Sequence, residues 1–255
     1  FGMSVREPVG VIGCITPFNV PLLKNVKQIA MVIATGNTAV LMPSEFAPQV
    51  TVQFAKTLHE AGLPGGVFNY VTGDPAEIGD YLTSHDDISA INFCGSPRVG
   101  QHVASIAAKT LKPVTLELGG KGPGVVLPDA PIELTARGAT YGFLLGSGQI
   151  CISGTRLFVH ESIHDELVAR MAELAGKMKA GSQFDPATTL GPMAYRAHYE
   201  RVLGYIESGK AEGAQVACGG GPLSVEEFPD SMFVQPTIFT DVTPDMKIYN
   251  EEIFG

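Results

Sequence analysis

The chain has few cysteines, and none of them is close to another. Its 255 residues contain four, at positions 14, 94, 151 and 218. Because there is no CxxC pair and no dense spacing, the pattern argues against a disulfide framework and against a structural zinc site. Widely spaced cysteines are typical of proteins in a reducing compartment, so we expect a cytoplasmic location.

Positive charge is also scarce, with 17 Lys and Arg against 26 Asp and Glu and a formal net charge of -9. Nucleic-acid binding depends on clustered Lys and Arg that neutralise phosphates, so DNA and RNA are poor candidate partners, as are anionic membranes. The longest apolar runs, such as residues 29–34, are far shorter than the roughly 18 residues that cross a bilayer. We expect no membrane partner.

The composition that remains is that of a globular protein, with 45% hydrophobic and 17% charged residues. A chain of 255 residues can bury one large core or two ordinary ones, because domains commonly contain about 100 to 150 residues. The sequence starts at Phe1 and stops at Gly255 without the features of natural termini. We therefore expect a fragment that lacks flanking parts of both domains.

Residues 1–119 alternate between short β-branched runs and helical patterns. The five strand patterns are VGVIGCI, TAVLM, VFNYV, ISAINF and PVTLEL, and four helical patterns separate them. This alternation predicts crossover units and a parallel sheet. In the second helix Val50, Phe54 and Leu58 recur every four residues, which places them on one face toward the sheet. The fold class is therefore α/β, beginning with a Rossmann-like dinucleotide-binding domain.

Residues 120–255 restart the pattern after the glycine-rich break LGGKGPG and predict a second α/β domain. We expect an apolar helix near residues 132–145, a strand at RLFVH and a periodic helix over residues 163–178. A further helix near residues 194–208 precedes strands at QVACGG and FVQPTIF.

Cys151 is the first candidate for chemistry. A lone cysteine is often a small buried hydrophobe, and that reading stays open for the isolated residue. Its neighbours Ser147, Gly148 and Gln149 on one side, and Ser153 and Gly154 on the other, form a small and polar stretch between a helix and a strand. Such a turn can expose a thiol to a cavity, as a nucleophile requires.

Glu117 and Asn19 are the next candidates. In PVTLELGGK strand alternation puts Thr115 and Glu117 on one face, near the carboxyl end of the strand where open α/β sheets bind ligands. Glu117 is either an ion-paired residue at a strand end or a partly desolvated general base. Asn19, after the first strand, is either a helix-cap residue or a side-chain amide that stabilises an oxyanion.

Two other features carry weaker signals. The Gly95-Ser96 step lies between a strand and a helix N-terminus, where a phosphate can bind, but it lacks the GxGxxG pattern. His160 and His164 are four residues apart but have no third ligand, so we interpret them as surface histidines and expect no metal site.

Eight motifs together resemble the aldehyde dehydrogenase superfamily, of the NAD(P)-dependent hydrolytic type, over essentially the whole chain. In order they are TPFN, LMPSE, FCGSPRVG, LELGGK, GQICISGTR, LGPM, QPTIF and EEIFG. The most specific pair is LELGGK followed by GQxC. The resemblance implies oxidation of an aldehyde to a carboxylic acid with NAD, in a protein whose complete chain forms a homo-oligomer.

The resemblance also implies a role for individual residues. Cys151 attacks the aldehyde, Asn19 helps to hold the oxyanion, and Glu117 activates the water that hydrolyses the thioester. Ser96 is placed near the cofactor pyrophosphate, Glu45 on the adenosine ribose, Glu252 on the nicotinamide ribose and Phe254 beside the nicotinamide ring. The full set of cofactor-binding candidates is Thr16, Phe18, Met42, Ser44, Glu45, Gly95, Ser96, Leu118, Glu252 and Phe254.

The chain also departs from the family pattern. Met42 stands where a Lys is usual, Phe18 replaces a common Trp, and Gly146 replaces a usual Asn. A thioether cannot donate the hydrogen bond that an ammonium gives to ribose hydroxyls, so we expect weaker cofactor binding. Two alternatives stay open. One is a family member without turnover that is kept as a binding or structural protein, which Met42 and the missing segments favour. The other is an aldehyde dehydrogenase that transfers the acyl group to CoA, against which Glu117 argues.

Overall fold

The computed structural model describes all residues from Phe1 to Gly255, which form two compact units. Unit 1 contains Phe1–Gly119 and unit 2 contains Gly120–Gly255. No helix in either unit is both long enough and apolar enough to cross a membrane.

Unit 1 is built on a five-stranded sheet in which every strand pairing is parallel. The strands are β1 (Val11–Thr16), β2 (Thr38–Pro43), β3 (Phe68–Tyr70), β4 (Ala90–Gly95) and β5 (Val114–Leu118), in the spatial order β3-β2-β1-β4-β5. The helices between them are α1 (Pro21–Ala34), α2 (Pro48–Glu60), α3 (Pro75–Ser84) and α4 (Pro97–Ala107), and a 3₁₀ turn follows at Ala108–Thr110. The prediction of a Rossmann-like α/β fold is confirmed.

All four helices of unit 1 begin with a proline: Pro21, Pro48, Pro75 and Pro97. Proline suits the first helical position because its fixed φ is already helical and its missing N–H would have no partner there. Asp74 and Ser96 also cap α3 and α4 by accepting a hydrogen bond from a backbone N–H. The sequence thus marks where each helix starts, at the carboxyl end of the preceding strand.

Two apolar clusters cover the two faces of this sheet. One contains Ile15, Met42, Leu82, Ile88, Ile91, Phe93, Val103 and Ala107, and the other contains Ile12, Cys14, Ile29, Val32, Ala39 and Leu41. Residues of β1 alternate between the clusters, as expected for a strand buried on both faces. Burial raises the pKa of the Cys14 thiol to about 12, so this cysteine stays protonated and unreactive.

A buried polar network joins β1 to α1 and α2. The amide of Asn25 is fully buried, accepts a hydrogen bond from the Thr16 hydroxyl (3.1 Å) and donates one to the Thr51 hydroxyl (2.8 Å). Because the strand order reverses between β1 and β4, the network borders the crevice where doubly wound sheets bind their ligands. It fixes the helices that flank this crevice.

Unit 2 contains two small sheets and four helices. Strands β6 (Pro123–Val126) and β7 (Arg156–Val159) are parallel, and β8 (Gln215–Cys218) and β9 (Ile238–Thr240) are antiparallel. The helices are α5 (Ile132–Leu144), α6 (His164–Gly176), α7 (Arg196–Ala211) and α8 (Lys247–Asn250), with 3₁₀ turns at Leu145–Gly148 and Glu161–Ile163. The prediction of a second α/β domain is confirmed.

Strand β6 begins inside the glycine-rich break, at Pro123, and pairs with β7 from its first residue. One local prediction in unit 2 was wrong. In FVQPTIF only Ile238–Thr240 forms a strand, and Val234 makes one isolated bridge with Pro222. Pro236 has no N–H to give to a ladder, which explains why regular pairing starts after it.

Met42 lies in the apolar core of unit 1 and is only 5% exposed. A Cβ at Gly79 of α3 would lie 3.6 Å from the Met42 methyl group, so the thioether fills space beneath that helix. This placement differs from the expectation of a side chain directed at the cofactor. The cause is the apolar character of the thioether. Removing it from water is favourable in free energy, whereas removing an ammonium from water is unfavourable.

The core position of Met42 leads to a prediction about stability. Met42→Lys should lower the free energy of unfolding by more than about 2 kcal/mol, because it buries an ammonium among apolar side chains. Met42→Leu conserves volume and apolarity and should cost less than about 1.5 kcal/mol. Urea unfolding monitored by circular dichroism measures both. Equal midpoints for Met42→Lys and the natural protein would contradict the core assignment.

Candidate active site

The turn that carries Cys151, residues 146–151, has an unusual backbone. Gly146, Ser147 and Gly148 follow α5 with φ values of 59°, 58° and 80°, all in the left-handed region. We call this segment the Cys151 turn. Its cysteine is partly exposed, whereas Cys14 and Cys94 are buried. The structure thus gives Cys151 the access that a nucleophile needs.

Side chains within the Cys151 turn bind the backbone of the LGPM segment, residues 190–193. The Ser147 hydroxyl donates to the carbonyl of Gly191 and accepts from its N–H, both at 2.9 Å. The Gln149 amide donates to the carbonyl of Pro192 (3.3 Å) and accepts from the N–H of Ala194 (3.0 Å). The small and polar turn is therefore held to this segment by two of its side chains.

The backbone at Gly148 lies directly against the EEIFG segment, residues 251–255. A Cβ at Gly148 would come within 2.6 Å of the Gly255 carbonyl carbon. At the other end of the turn, a Cβ at Gly122 would come within 2.5 Å of the Ser153 carbonyl oxygen. Glycine is required at both places because any side chain would displace backbone. The first contact brings the GQxC and EEIFG motifs together within unit 2, and the second joins Gly122, the residue after LELGGK, to Ser153.

Helix α7 supports the EEIFG segment from the opposite side. His198 Nε2 lies 2.8 Å from the carbonyl oxygen of Phe254, and Arg201 donates to the carbonyl of Glu252 at 2.6 Å. Phe254 has a φ of 67°, so its backbone also needs support from its neighbours. Burial lowers the pKa of His198, and Arg201 adds to this, while the hydrogen bond to Phe254 opposes it.

Glu252, near the end of unit 2, contacts the start of the same unit beside Lys121. Glu252 Oε1 accepts a hydrogen bond from the Gly120 N–H at 3.2 Å, and Arg156 donates to the Lys121 carbonyl at 3.1 and 2.6 Å. Burial and the charge of Arg156 lower the pKa of Lys121 to about 8, and the charge of Glu252 partly opposes them. Lys121 therefore gives up its proton more readily than an exposed lysine.

Glu117 lies on β5 of unit 1, beside two lysines of α1. Its carboxylate oxygens are 3.6 Å from Lys24 Nζ and 3.9 Å from Lys27 Nζ, and about half of its side chain, 49%, is exposed. Of the two readings of this residue, the structure therefore shows the ion-paired one in unit 1. A role as general base requires the carboxylate to turn from these ammonium groups toward a water molecule.

A recess of about 540 Å³ opens at the carboxyl ends of β2 and β3. Its walls are Pro43, Ser44, Glu45, Pro48, Thr72, Gly73, Asp74 and Pro75. Ser44 and Glu45 were predicted as cofactor-binding residues, whereas Met42 is not part of the lining. The sequence analysis missed Thr72 and Asp74, although their position after a strand and before a helix was a usable signal.

The other unit 1 candidates surround the same edge of the sheet. Thr16 ends β1, Phe18 and Asn19 follow it, and the Phe18 ring packs edge-on against Phe46 at 6.4 Å. Gly95 ends β4, where its missing side chain leaves room for the Phe93 ring. The Ser96 hydroxyl accepts from the Val99 N–H at 3.4 Å, and Leu118 ends β5. The structure thus gathers these candidates at the carboxyl ends of β1, β4 and β5.

Two sets of candidates therefore emerge. Unit 1 brings its candidates to the carboxyl-terminal edge of the sheet, and these are Thr16, Phe18, Asn19, Ser44, Glu45, Gly95, Ser96, Glu117 and Leu118. Unit 2 contains Cys151, Glu252 and Phe254, and the Cys151 turn lies against the EEIFG segment at Gly148. The sequence analysis did not identify Ser147, Gln149, His198 or Arg201 as supporting residues. Their function depends on contacts over 43 residues or more along the chain, and no local pattern reports such contacts.

The sequence model of the aldehyde dehydrogenase family matches residues 1–255, so the chain belongs to this family. It is 43% identical to a hydroxyisobutyraldehyde dehydrogenase of Mycolicibacterium austroafricanum over 99% of this chain and 50% of that protein. It is also 43% identical to human aldehyde dehydrogenase 1A1, over 100% of this chain and 50% of that protein. The chain therefore spans about half the length of the curated relatives that it matches.

Solved structures agree with this assignment. A mutant of aldehyde dehydrogenase C from Pseudomonas syringae, in complex with NAD+ and octanal, superposes with a TM-score of 0.95 at 41% identity. The match covers 98% of this chain and 51% of that one. An NAD+ complex of an aldehyde dehydrogenase from Bacillus cereus gives a TM-score of 0.94 at 42% identity, over 98% and 50% of the two chains.

The buried His198 predicts a pH dependence of stability. Its pKa is lowered in the folded protein, so its contribution is fully present above the ordinary imidazole value of 6.5 and is lost as the pH falls below it. Below that pH the imidazole of His198 is protonated in the unfolded chain, and this favours unfolding because burial disfavours the same protonation in the folded chain. His198→Gln should reduce the loss of stability between about pH 7.5 and pH 5, as measured by urea midpoints.

His59→Gln is the matched control, because His59 is exposed at the end of α2. It should leave the acid loss of stability unchanged. Identical pH profiles for His198→Gln and His59→Gln would show that burial of His198 does not contribute.

Proposed function

We propose that the protein containing this chain oxidises an aldehyde to a carboxylic acid with NAD, using Cys151 as the nucleophile. The observation that carries this proposal is the Cys151 turn, a partly exposed thiol on a left-handed backbone that side-chain hydrogen bonds hold in place. A buried structural cysteine needs no such support, as Cys14 illustrates. Membership of the aldehyde dehydrogenase family supports the same assignment.

The reaction begins when the Cys151 thiolate forms a bond to the carbonyl carbon, and the π electron pair of the carbonyl moves to its oxygen, which becomes an oxyanion. The side-chain amide of Asn19 and the backbone N–H of Cys151 donate hydrogen bonds to this oxygen. Bound NAD would supply the hydride acceptor, so that loss of hydride from the same carbon would leave a thioester on Cys151. Donors that stabilise such an oxyanion are typically worth about 3 to 4 kcal/mol.

The second half of the reaction hydrolyses the thioester. Glu117 accepts a proton from water while the water oxygen attacks the acyl carbon, and the carbon–sulfur bond then breaks. The products are a carboxylic acid and the regenerated Cys151 thiolate. Glu117 therefore favours water over CoA as the acyl acceptor, since family members that use CoA generally lack this base.

The recess in unit 1 fits the adenosine end of NAD. Ser96 caps the N-terminus of α4, where backbone N–H groups favour a phosphate, and Glu45 can accept from ribose hydroxyls. The lining contains two carboxylates, Glu45 and Asp74, and no Lys or Arg. A 2′-phosphate would meet like charge there, so we propose NAD rather than NADP as the cofactor. Glu252 and Phe254 are the proposed contacts of the nicotinamide end.

The proposed substrate is an aliphatic or aromatic aldehyde. Leu22, Leu23, Leu145 and Ile152 flank the two catalytic segments in sequence, and each exposes more than half of its apolar side chain. Exposed apolar surface of this kind suits an uncharged substrate better than a charged semialdehyde. The Pseudomonas syringae relative is a complex with octanal, which agrees with this preference.

Two further features remain part of the proposal. We propose a cytoplasmic homo-oligomer, in keeping with the free cysteines and the family. The alternative is a family member that binds but does not turn over substrate. Met42 favours it, because Met42 lies in the core and the adenosine ribose of NAD then has no lysine partner at this position.

The nucleophile can be tested by Cys151→Ser in the full-length natural protein. The variant should lose more than about 99% of aldehyde oxidation, followed as NADH absorbance, because a hydroxyl without an activating base is a weak nucleophile. NAD affinity measured by calorimetry should stay within about twofold. Cys218→Ser is the control and should keep full activity. Substantial turnover in Cys151→Ser would refute the mechanism.

The base can be tested by Glu117→Gln. Rapid mixing should show a burst of about one NADH per active site followed by slow turnover, because acyl-enzyme accumulates when hydrolysis is blocked. Adding CoA during the slow phase asks whether a thiol can replace water as acceptor. An equal loss in the burst and in steady-state turnover would assign Glu117 another role.

A further inference from the structure

The backbone that leads to Cys151 is intrinsically unfavourable. Of the three consecutive left-handed residues, Gly146 and Gly148 adopt this region freely, but Ser147 carries a Cβ that opposes it. A non-glycine residue stays in this region only when its surroundings hold it there. Ser147 is therefore the position at which the shape of the turn depends on an external contact.

That contact is made by the Ser147 hydroxyl and by one partner residue. The hydroxyl donates to the Gly191 carbonyl and accepts from the Gly191 N–H, both at 2.9 Å. No other backbone group bonds to either atom of Gly191, so Ser147 alone satisfies both. Ser147 is also only 8% exposed, which keeps water from competing for these bonds. Two hydrogen bonds to one residue fix both the distance between the turn and the LGPM segment and the orientation of the turn.

The segment that Ser147 binds is itself fixed. Leu190 and Met193, on either side of the Gly191-Pro192 step, are each 2% exposed. The Leu190 N–H donates to the Lys179 carbonyl at 3.1 Å, and the Met193 N–H donates to the Met232 carbonyl at 2.9 Å. Because the LGPM segment is held in place by these contacts, a change at Ser147 shifts Cys151 and not the LGPM segment.

We infer that Ser147 is a positioning residue for the nucleophile, which holds the left-handed turn against Gly191 and so sets the direction of the Cys151 sulfur. The inference rests on the proposed function for its effect on catalysis. Nucleophilic attack needs the sulfur aligned with the carbonyl carbon, and a misplacement of about 1 Å can cost about a hundredfold in rate. Ser147 itself does not contact the reacting atoms.

Two substitutions in the full-length protein separate positioning from stability. Ser147→Ala and Ser147→Gly both remove the hydroxyl, but only glycine relieves the left-handed backbone. Ser147→Gly should therefore melt at a higher temperature than Ser147→Ala. If the hydroxyl positions Cys151, the two variants should nevertheless lose kcat to a similar extent, by about tenfold to a hundredfold, with the KM for NAD within about twofold of the natural value.

A second measurement does not depend on turnover. The rate at which iodoacetamide alkylates Cys151, followed by peptide mass spectrometry, depends on the accessibility and the surroundings of the thiol. This rate should shift at least about threefold in both variants. Ser84→Ala is the matched control, because it removes an exposed hydroxyl that bonds a backbone carbonyl in α3. It should change neither the alkylation rate nor kcat.

Two results would overturn the inference. If Ser147→Gly recovers kcat together with its melting temperature, the hydroxyl only offsets backbone strain. If alkylation of Cys151 proceeds at the natural rate in both variants, the turn does not depend on Ser147. Either result leaves the proposed function standing, whereas turnover in Cys151→Ser refutes that function whatever the Ser147 variants show.

Discussion

Close backbone contact at glycine is the constraint on which the arrangement of unit 2 depends. Gly148 lies against Gly255, and Gly122 lies against the Ser153 carbonyl, at distances where a Cβ would collide with backbone. These two contacts hold the Cys151 turn between the start and the end of unit 2. The hydrogen bonds of Ser147 and Gln149 join the turn to a different segment, around Gly191 and Pro192. Glycine packing and polar side-chain contacts thus hold the turn from separate directions.

In unit 1 the corresponding constraint is the parallel sheet. Parallel strands direct all of their carboxyl ends to one edge of the sheet. Residues that are far apart in sequence therefore meet at this edge because of the sheet topology alone. Asn19, Glu45 and Ser96 follow β1, β2 and β4 and reach that edge for this reason. The prolines that start each helix keep the connections short and leave the edge open.

The sequence was sufficient for those features that a local pattern determines. Alternating strand and helix patterns predicted the order of elements in unit 1, because periodicity reports which side of an element is buried. FVQPTIF shows the limit of this approach: its apolar residues resemble a long strand, but Pro236 cannot join a ladder. The sequence could not predict that Met42 lies in the core. The same β2 position admits either an inward thioether or an outward ammonium, and only the packing against α3 decides between them.

Electrostatics around Glu117 were equally hidden, because the pairing with Lys24 and Lys27 depends on how α1 lies against β5. Ion pairs at 3.6 and 3.9 Å with a half-exposed carboxylate are weak, typically contributing about 0 to 1 kcal/mol. A catalytic hydrogen bond to water can outweigh an interaction of this size. The resting ion pairs are therefore compatible with a general base, because breaking them costs little compared with the 8 kcal/mol or so that even a modest enzymatic acceleration represents. Cys151 presents the opposite case, since its turn is held by several hydrogen bonds at once. In this chain it is the proposed nucleophile rather than the proposed base that the fold fixes in place.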